Sequence, residues 1–252
     1  MSAQPRVLVL RDLPALTLAA AERIAAAAAA AVAARGRFVL VLSGGGTPRP
    51  LYERLAGEDR ERLPWAQTTV LFADERCVPP DDPASNYGMV ARALLDHVPL
   101  PPEQVHRIAG ERAPEAAARD YERALRGILR EPRGSAALID VALLGVGADG
   151  HTASLFPGSA ALDEREQWVV ATEAPASAPV RARVTLTFPL LARSREVCFL
   201  CAGAEKRAAV TEILAGGAEL GGTAPPPAAR VHGTEGTVWF LDEAAGGALS
   251  TR

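Results

Sequence analysis

The stretch that most constrains the fold of this chain is residues 145–158, with the sequence GVGADGHTASLFPG. It follows an apolar run at residues 139–144, which is typical of a buried strand. Three glycines in the next six residues allow a sharp turn and a close approach of the backbone to a ligand. Asp149 and His151 lie in this turn, at the carboxyl end of the strand, where open α/β sheets bind their ligands. A histidine beside a carboxylate there is a candidate general base, although a helix-capping aspartate next to a surface histidine would have the same sequence.

A second glycine-rich turn, SGGGTP at residues 43–48, follows another buried-strand pattern at residues 38–42. Thr47 is a favourable N-cap and Pro48 a favourable first helical residue, so we expect a helix to follow. Unpaired N–H groups and the positive end of the helix dipole would make this turn an anion site. The residues of that site are Gly44, Gly45, Gly46 and Thr47. The turn matches neither the P-loop nor the dinucleotide-binding pattern, and a tight turn without a ligand is the alternative.

Charged residues follow two further strand patterns. Asp74 and Arg76 come directly after residues 68–73, and Lys206 comes shortly after residues 196–201. Lys206 is the only lysine among the 27 basic residues, so a lysine at this position of an arginine-rich chain favours a specific role, with chance as the alternative. Four turns that carry glycines or charges are therefore predicted after strands, at residues 43–47, 74–76, 145–151 and 203–206. Because the carboxyl ends of parallel strands meet at one edge of a sheet, we expect all four turns to lie together there.

Strand and helix patterns alternate along the whole sequence, without an internal repeat or a break in composition. This alternation predicts a single α/β domain over residues 1–252, with a mostly parallel, Rossmann-like sheet flanked by helices. The predicted strands are residues 7–10, 38–42, 68–73, 139–144, 168–171, 183–188, 196–201 and 238–241. The predicted helices are residues 14–34, 48–56, 114–129 and 203–214, with others beginning at residues 85 and 242, and an exposed loop is predicted at residues 216–227.

Composition and charge argue against several classes of function. The net charge of −3 disfavours nucleic-acid binding through bulk electrostatics. We find no apolar run of membrane-spanning length and no cleavable signal, which together predict a cytoplasmic protein without a membrane partner. Cys77, Cys198 and Cys201 give no disulfide framework, and the last two are expected to be buried thiols of one strand. The expected oligomeric state is a monomer or a small homo-oligomer.

These motifs closely resemble those of the 6-phosphogluconolactonase family. The resemblance rests on the segments SGGGTP, DERCVP, SNY, GVGADGHTASLFPG, RVTLT and GAEK, which occur in this order over nearly the whole chain. The segment DGHTASLFP is the most specific of them. The chain departs from the family at Gly46, where serine is usual, so the turn lacks a hydroxyl group but keeps its backbone donors.

What the resemblance implies is hydrolysis of 6-phospho-D-glucono-1,5-lactone to 6-phosphogluconate, in the oxidative pentose phosphate pathway. It implies no metal and no cofactor, and a fold shared with glucosamine-6-phosphate deaminases. For this chemistry we expect His151 to activate water and Asp149 to orient the imidazole or to hold the water. The expected substrate-binding residues are Gly44, Gly45, Gly46, Thr47, Asp74, Arg76, Arg183 and Lys206.

The roles of the cations are open at this point. Arg76 and the backbone N–H groups near residues 147–150 are candidates for binding the oxyanion. The substrate phosphate has residues 44–47, Lys206 and Arg183 as candidate partners. The division of Arg76 and Arg183 between the phosphate and the oxyanion is therefore not fixed by the sequence.

Two further expectations concern single residues. Asp74 either binds sugar hydroxyl groups or pairs with Arg76. The remaining histidines, His97, His106 and His232, are expected in loops or at the surface.

Three rival functions are weighed. The nearest is an amino-sugar-phosphate deaminase or isomerase of the same fold, but those enzymes resemble DEY where this chain has DER at residues 74–76. A non-catalytic sugar-phosphate sensor would need the turn at residues 43–48 but not Asp149 and His151 together. A metal-dependent lactonase would need more ligands than these two residues supply.

Overall fold

The computed structural model describes residues 4–129, 137–215, 224–247 and 249 of the chain. Its strands are β1 (Arg6–Leu10), β2 (Phe38–Leu42), β3 (Thr68–Phe72), β4 (Asp74–Arg76), β5 (Val105–His106), β6 (Ile139–Gly145), β7 (Val169–Glu173), β8 (Ala182–Leu186), β9 (Ser194–Cys201) and β10 (Gly236–Asp242). Its α-helices are α1 (Leu13–Arg35), α2 (Arg49–Ala56), α3 (Asn86–Ala93), α4 (Pro114–Ile128), α5 (Phe188–Leu191), α6 (Arg207–Leu214) and α7 (Glu243–Gly246).

In the described part of the chain, seven strands form one parallel sheet in the order β1-β10-β9-β6-β2-β3-β5. Strand β2 has the sequence FVLVL and is buried along its whole length, as expected for a central strand that is covered on both faces. This arrangement confirms the predicted single-domain α/β fold with a mostly parallel central sheet flanked by helices. The extent of the domain over residues 1–252 stays a prediction.

The other three strands form a small antiparallel sheet in the order β4-β8-β7. The prediction of a turn at residues 74–76 is therefore wrong, because these residues pair with β8. The chain leaves the main sheet at Ala73, whose carbonyl oxygen accepts a hydrogen bond from the Leu186 N–H group at 2.8 Å. The predicted strand at residues 183–188 corresponds to β8, which ends at Leu186 because a short helix begins at Phe188.

Helix α1 forms much as predicted. The Asp12 side chain accepts a hydrogen bond from the Ala15 N–H group at 2.8 Å, and Gly36, with φ of 70°, ends the helix in the left-handed conformation. With 23 residues, the helix is long and apolar enough to cross a membrane by length and composition, which corrects the expectation that no such run exists. One side of it is nevertheless buried in the protein core, and Arg23 on it forms an ion pair with Glu196 of β9.

Smaller differences from the sequence expectations are local. Helix α2 begins at Arg49 with Pro48 as its N-cap and without a side-chain capping bond, so Thr47 is not the predicted N-cap. His106 lies in the two-residue strand β5 at the edge of the main sheet, not in a loop. Cys198 and Cys201 are buried free thiols in β9, as predicted. Most of the predicted loop at residues 216–227 lies outside the described residues.

Candidate active site

Two adjoining cavities lie beside the turn that follows β6, one toward the carboxyl ends of β2 and β9 and the other toward the small antiparallel sheet. The first, of about 280 Å³, lies between the turns that follow these strands, and we call it the turn cavity. The second, of about 400 Å³, is called the arginine cavity and shares Asp74, Arg76, His151 and Ala153 with the first. The ten residues that the sequence predicts for the site all line one of these cavities. The turn cavity is lined by Gly44, Gly45, Gly46, Thr47, Asp74, Arg76, His151 and Lys206, and the arginine cavity adds Asp149 and Arg183.

His151 is held by Asp149. The Nδ1 atom of His151 lies 2.5 Å from Asp149 Oδ1, and the same oxygen accepts a hydrogen bond from the His151 backbone N–H group at 3.2 Å. Burial by itself raises the pKa of Asp149, but the hydrogen bond and the charge of His151 outweigh it and keep this pKa below its usual value. An ionised Asp149 favours a proton on Nδ1, which leaves Nε2 as the atom able to accept a proton.

The glycine-rich turn makes this pair possible. A Cβ atom at Gly147 would lie 2.0 Å from His151 Nδ1 and 2.5 Å from Asp149 Oδ1, so a larger residue would displace the pair. Ala153, with φ of 49°, is a non-glycine residue in the left-handed region, and such strain concentrates at functional sites. The ring of Phe156 packs against the imidazole of His151, with 4.6 Å between the ring centroids. The imidazole is therefore fixed on both sides.

The turn at residues 43–47 presents unused backbone donors. The N–H groups of residues 44–47 make no hydrogen bond to any described residue. Tyr52 braces the turn, since its hydroxyl group donates to the Ser43 carbonyl oxygen at 2.6 Å. The Ser43 hydroxyl group donates to the Leu143 carbonyl oxygen at 2.9 Å, which ties β2 to β6 and removes that hydroxyl from ligand binding. What faces the turn cavity is therefore a set of backbone donors suited to an anion.

Lys206 supplies a cation to the same cavity. It ends a 3₁₀ turn, Ala204–Lys206, that lies between β9 and α6. The turn begins at Gly203, whose N–H group donates to both carboxylate oxygens of Asp242 at 3.0 and 3.1 Å. Lys206 forms no ion pair with any residue that the structure describes. Its ammonium group is therefore available to an anion held by the turn at residues 43–47.

Asp74 is fixed by neutral donors. It is buried, and its carboxylate accepts hydrogen bonds from the Ser154 hydroxyl group at 2.6 Å and from the Asn86 amide at 3.0 Å. The alternative that Asp74 pairs with Arg76 is wrong, because the two side chains form no ion pair. Asn86 and Ser154 are functional candidates that the sequence did not single out. In the sequence, Asn86 marks only the start of a helix and Ser154 only part of a turn. Their contact with Asp74 depends on the tertiary fold and has no local signal.

Glu75 holds the segment that carries Asn86. Its buried carboxylate accepts hydrogen bonds from the backbone N–H groups of Asn86 and Tyr87, both at 2.7 Å, and from the Ser85 hydroxyl group at 3.0 Å. Burial raises the pKa of Glu75, although these hydrogen bonds oppose the shift. Ser85 also accepts from the Gly88 N–H group, which confirms the predicted start of helix α3. Strand β4 and helix α3 therefore present Asp74 and Asn86 as one unit.

Two of the backbone groups expected at the oxyanion are already used. The Gly147 N–H group donates to the His151 carbonyl oxygen at 2.8 Å, and the Gly150 N–H group donates to the Gly147 carbonyl oxygen at 3.0 Å. These two donors hold the turn itself and are not available to a substrate. Arg76 and Arg183, which line the arginine cavity, are the cations that remain close to the His–Asp pair.

No group of three or more His, Cys, Asp or Glu side chains that could hold a metal ion occurs among the residues that the structure describes. The potential ligands at the cavities are instead committed to each other or to neutral donors. Asp149 contacts His151, and Asp74 contacts Ser154 and Asn86.

A parallel α/β sheet with a His–Asp pair, an anion-binding turn and several cations at one edge defines an enzyme that acts on an anionic small molecule. A family model described as glucosamine-6-phosphate isomerases/6-phosphogluconolactonase matches residues 11–239. A protein of Streptomyces coelicolor named 6-phosphogluconolactonase is 38% identical over 258 residues, which cover 99% of this chain and 96% of that protein. The chain therefore belongs to the glucosamine-6-phosphate isomerase/6-phosphogluconolactonase family.

Solved structures agree with this assignment. The crystal structure of 6-phosphogluconolactonase from Thermotoga maritima superposes with a TM-score of 0.81 at 33% identity, covering 94% of this chain and 99% of that one. A monomeric glucosamine-6-phosphate deaminase superposes with a TM-score of 0.78 over 96% of this chain and 98% of that one, but at 22% identity, so it shares the fold alone. The predicted family resemblance is confirmed. In sequence identity, the Thermotoga maritima lactonase, at 33%, is more similar to this chain than the deaminase, at 22%.

Proposed function

We propose that this chain is a 6-phosphogluconolactonase, which hydrolyses 6-phospho-D-glucono-1,5-lactone to 6-phosphogluconate in the oxidative pentose phosphate pathway. The observation that carries the proposal is the His151–Asp149 pair beside an anion-binding turn in one strand-end cavity. Names of relatives at 36–40% identity support it, because they are 6-phosphogluconolactonases. The fold, the site and the family point to the same reaction.

In the proposed mechanism, His151 is the general base. Its Nε2 atom takes a proton from a water molecule whose oxygen attacks C1 of the lactone, and Asp149 stabilises the imidazolium that forms. The carbonyl oxygen becomes an oxyanion, with the guanidinium groups of Arg76 and Arg183 as its candidate partners. The intermediate then collapses, the bond between C1 and the ring oxygen breaks, and the imidazolium returns its proton to that oxygen. The products are a hydroxyl group and a carboxylate, and one proton is released to solvent.

The turn cavity is assigned to the substrate phosphate. The donors are the backbone N–H groups of Gly44, Gly45, Gly46 and Thr47 together with Lys206. This division leaves Asp74, which is fixed by Ser154 and Asn86, to accept hydrogen bonds from sugar hydroxyl groups between the two ends of the substrate. A serine at position 46 is not required, because the anion site is built from main-chain groups.

Metal independence and a cytoplasmic location belong to the same proposal. The proposed mechanism needs no Lewis acid, since Arg76 and Arg183 would stabilise the negative charge that develops on the carbonyl oxygen bound to C1. Helix α1, the one described helix that has the length and composition to cross a membrane, has one side in the protein core, which supports its being a core helix and not a membrane span. The partner that we propose is the small sugar-phosphate lactone itself, with no nucleic acid involved.

The experiment is an assay of lactone opening with purified protein, with and without a metal chelator. The phosphorylated lactone opens spontaneously, so each rate is compared with a buffer blank. We expect rapid hydrolysis that the chelator leaves unchanged, and no release of ammonia from glucosamine 6-phosphate. Loss of activity on chelation would contradict metal independence, and ammonia release without lactone hydrolysis would favour the deaminase.

A further inference from the structure

Two arginines face each other across the small antiparallel sheet. Arg76 on β4 and Arg183 on β8 are directly opposite in the register of the two strands. Like charges directly opposite in an antiparallel pair are destabilising. Both side chains line the arginine cavity, so the repulsion is concentrated at the site rather than at the surface.

Neither guanidinium group is neutralised within the described residues. Arg183 is only 8% exposed, yet its guanidinium group makes no hydrogen bond and no ion pair there. The guanidinium group of Arg76 donates one hydrogen bond to a described residue, to the Ala84 carbonyl oxygen at 2.6 Å. The Nε atoms of Arg76 and Arg183 are both buried without an acceptor. Buried charges without a partner are costly, so such a pair indicates an anionic ligand.

The carboxylates near the pair compensate for it only in part, because the charges of Asp74 and Glu75 favour the charged form of Arg183 but neither carboxylate forms a hydrogen bond with its guanidinium group. Asp74 and Asp149 line the same cavity, but Asp74 is bound to Ser154 and Asn86, and Asp149 is bound to His151. Burial lowers the pKa of Arg183 and the like charge of Arg76 lowers it further; the charges of Asp74 and Glu75 raise it but do not cancel the shift, so the pKa lies below its usual value. An arginine stays protonated under these conditions, so the two positive charges persist.

The position of the two arginines relative to the turn cavity indicates which anionic group of the ligand they would bind. The arginine cavity adjoins the turn cavity through Asp74, Arg76 and His151, and Lys206 lines only the turn cavity. If the phosphate occupies the turn cavity, the opposite end of the substrate, which carries C1, reaches the arginines past His151. Hydrolysis turns a neutral ester at C1 into a carboxylate, and planar guanidinium groups bind carboxylates through paired hydrogen bonds.

We propose that Arg76 and Arg183 together form a carboxylate site for C1 of the product, so that the enzyme holds 6-phosphogluconate at both ends. This inference rests on the proposed function and adds to it the direction of the substrate and the role of Arg183. The charge that this site recognises is absent from the lactone and develops as water adds to C1. The same pair therefore stabilises the oxyanion more than the ground state.

The test is equilibrium binding by calorimetry of two compounds that differ at C1. 6-Phosphogluconate carries a phosphate and a carboxylate, whereas glucitol 6-phosphate carries the same phosphate and an uncharged alcohol at C1. The variants are Arg183→Met, Arg183→Lys and a matched control, Arg181→Met, which removes an exposed arginine that pairs with Glu173 at the surface. We expect Arg183→Met to weaken 6-phosphogluconate binding about 10- to 150-fold, the range for lost charged hydrogen bonds, and to leave glucitol 6-phosphate binding little changed.

Thermal unfolding without ligand gives a second readout. Since Arg183→Met removes a buried, unpaired charge that faces Arg76, we expect it to raise the melting temperature of the free protein. Arg183→Lys keeps the charge but lacks the planar fork, so it should restore 6-phosphogluconate binding only in part. Arg181→Met should change neither compound's affinity.

The outcomes separate the two proposals. Equal losses for both compounds, a loss for glucitol 6-phosphate alone, or a destabilised Arg183→Met protein would overturn the carboxylate site. Each of these results is compatible with normal lactone hydrolysis, so the proposed function would stand. A wild-type protein that binds neither compound and hydrolyses no lactone would overturn both.

Discussion

His151 and Asp149 combine two roles in one contact. Asp149 Oδ1 accepts from the backbone N–H group of His151, which shapes the turn, and also contacts Nδ1 of the imidazole, which fixes the base. Gly147 is the residue that leaves room for both. The turn and the proposed catalytic pair are therefore built by the same few atoms, and a substitution has to be designed to separate them.

Asp149→Asn separates the charge from the shape. An amide places either its oxygen or its NH₂ group where Oδ1 lies: the oxygen keeps both contacts with His151 but without the negative charge, whereas the NH₂ group faces Nδ1 and gives up the hydrogen bond from the backbone N–H group. That orientation favours a proton on Nε2, which can then no longer accept one from water. We expect turnover above the buffer blank to fall by about 10²-fold or more, while the melting temperature changes little.

The matched control for this substitution is Asp163→Asn, at an exposed carboxylate outside both cavities. It should leave turnover unchanged. If Asp149→Asn instead lost about 1 kcal/mol of stability with turnover intact, Asp149 would be a turn cap only.

At the scale of elements, the turn cavity is formed by the turns that follow the carboxyl ends of three neighbouring strands. Strands β2, β6 and β9 run parallel, so the turns after them meet at one edge of the sheet, as the sequence predicted from its glycines. The 3₁₀ turn after β9 places Lys206 opposite the turn after β2. Each of these elements could be identified from a local pattern, because an apolar run and a glycine-rich turn are adjacent in the chain.

The small sheet could not be predicted in the same way. Strand β4 has three residues and pairs with β8, which is far away in the sequence, so no local periodicity marks it. Its consequences, the facing of Arg76 and Arg183 and the contact of Asn86 with Asp74, depend on that long-range pairing. The sequence therefore predicted residues that line the two cavities but not which of them touch, and their roles in binding and catalysis stay predictions.

Lys206 tests the assignment of the turn cavity. Lys206→Ala should lower kcat/KM for the phosphorylated lactone about 10- to 150-fold, because a charged hydrogen bond is lost. The loss should fall mainly on KM, since the phosphate is bound equally in the ground state and the transition state. Glucono-1,5-lactone has no phosphate, so its slow hydrolysis should be almost the same in the variant, and Lys206→Arg should restore activity only in part.

The control is Arg207→Ala at the adjacent exposed cation, whose Nε atom donates to the Ala244 carbonyl oxygen at 3.0 Å. It should leave KM for the phosphorylated lactone close to the wild-type value. Equal losses on the two lactones in Lys206→Ala would show that Lys206 serves the fold or the chemical step.

At the scale of the whole molecule, the two sheets contribute different residues to the two cavities. The main sheet supplies the turn at residues 43–47, Lys206 and the His–Asp pair, whereas the small sheet supplies Asp74 and the two arginines. The substrate would lie between them, with its phosphate on one side and C1 on the other. Under the proposed mechanism, catalysis therefore requires correct packing of the small sheet against the edge of the main sheet.

The most direct test of the central claim, that His151 activates water on the phosphorylated lactone, is the rate of lactone hydrolysis by His151→Ala. The control is His97→Ala, at an exposed histidine outside both cavities whose Nε2 atom contacts the Arg92 carbonyl oxygen. We expect His151→Ala to lose about 10²- to 10⁴-fold in turnover above the buffer blank while it still binds 6-phosphogluconate, and His97→Ala to keep full activity. Turnover by His151→Ala close to that of the wild type would contradict the claim.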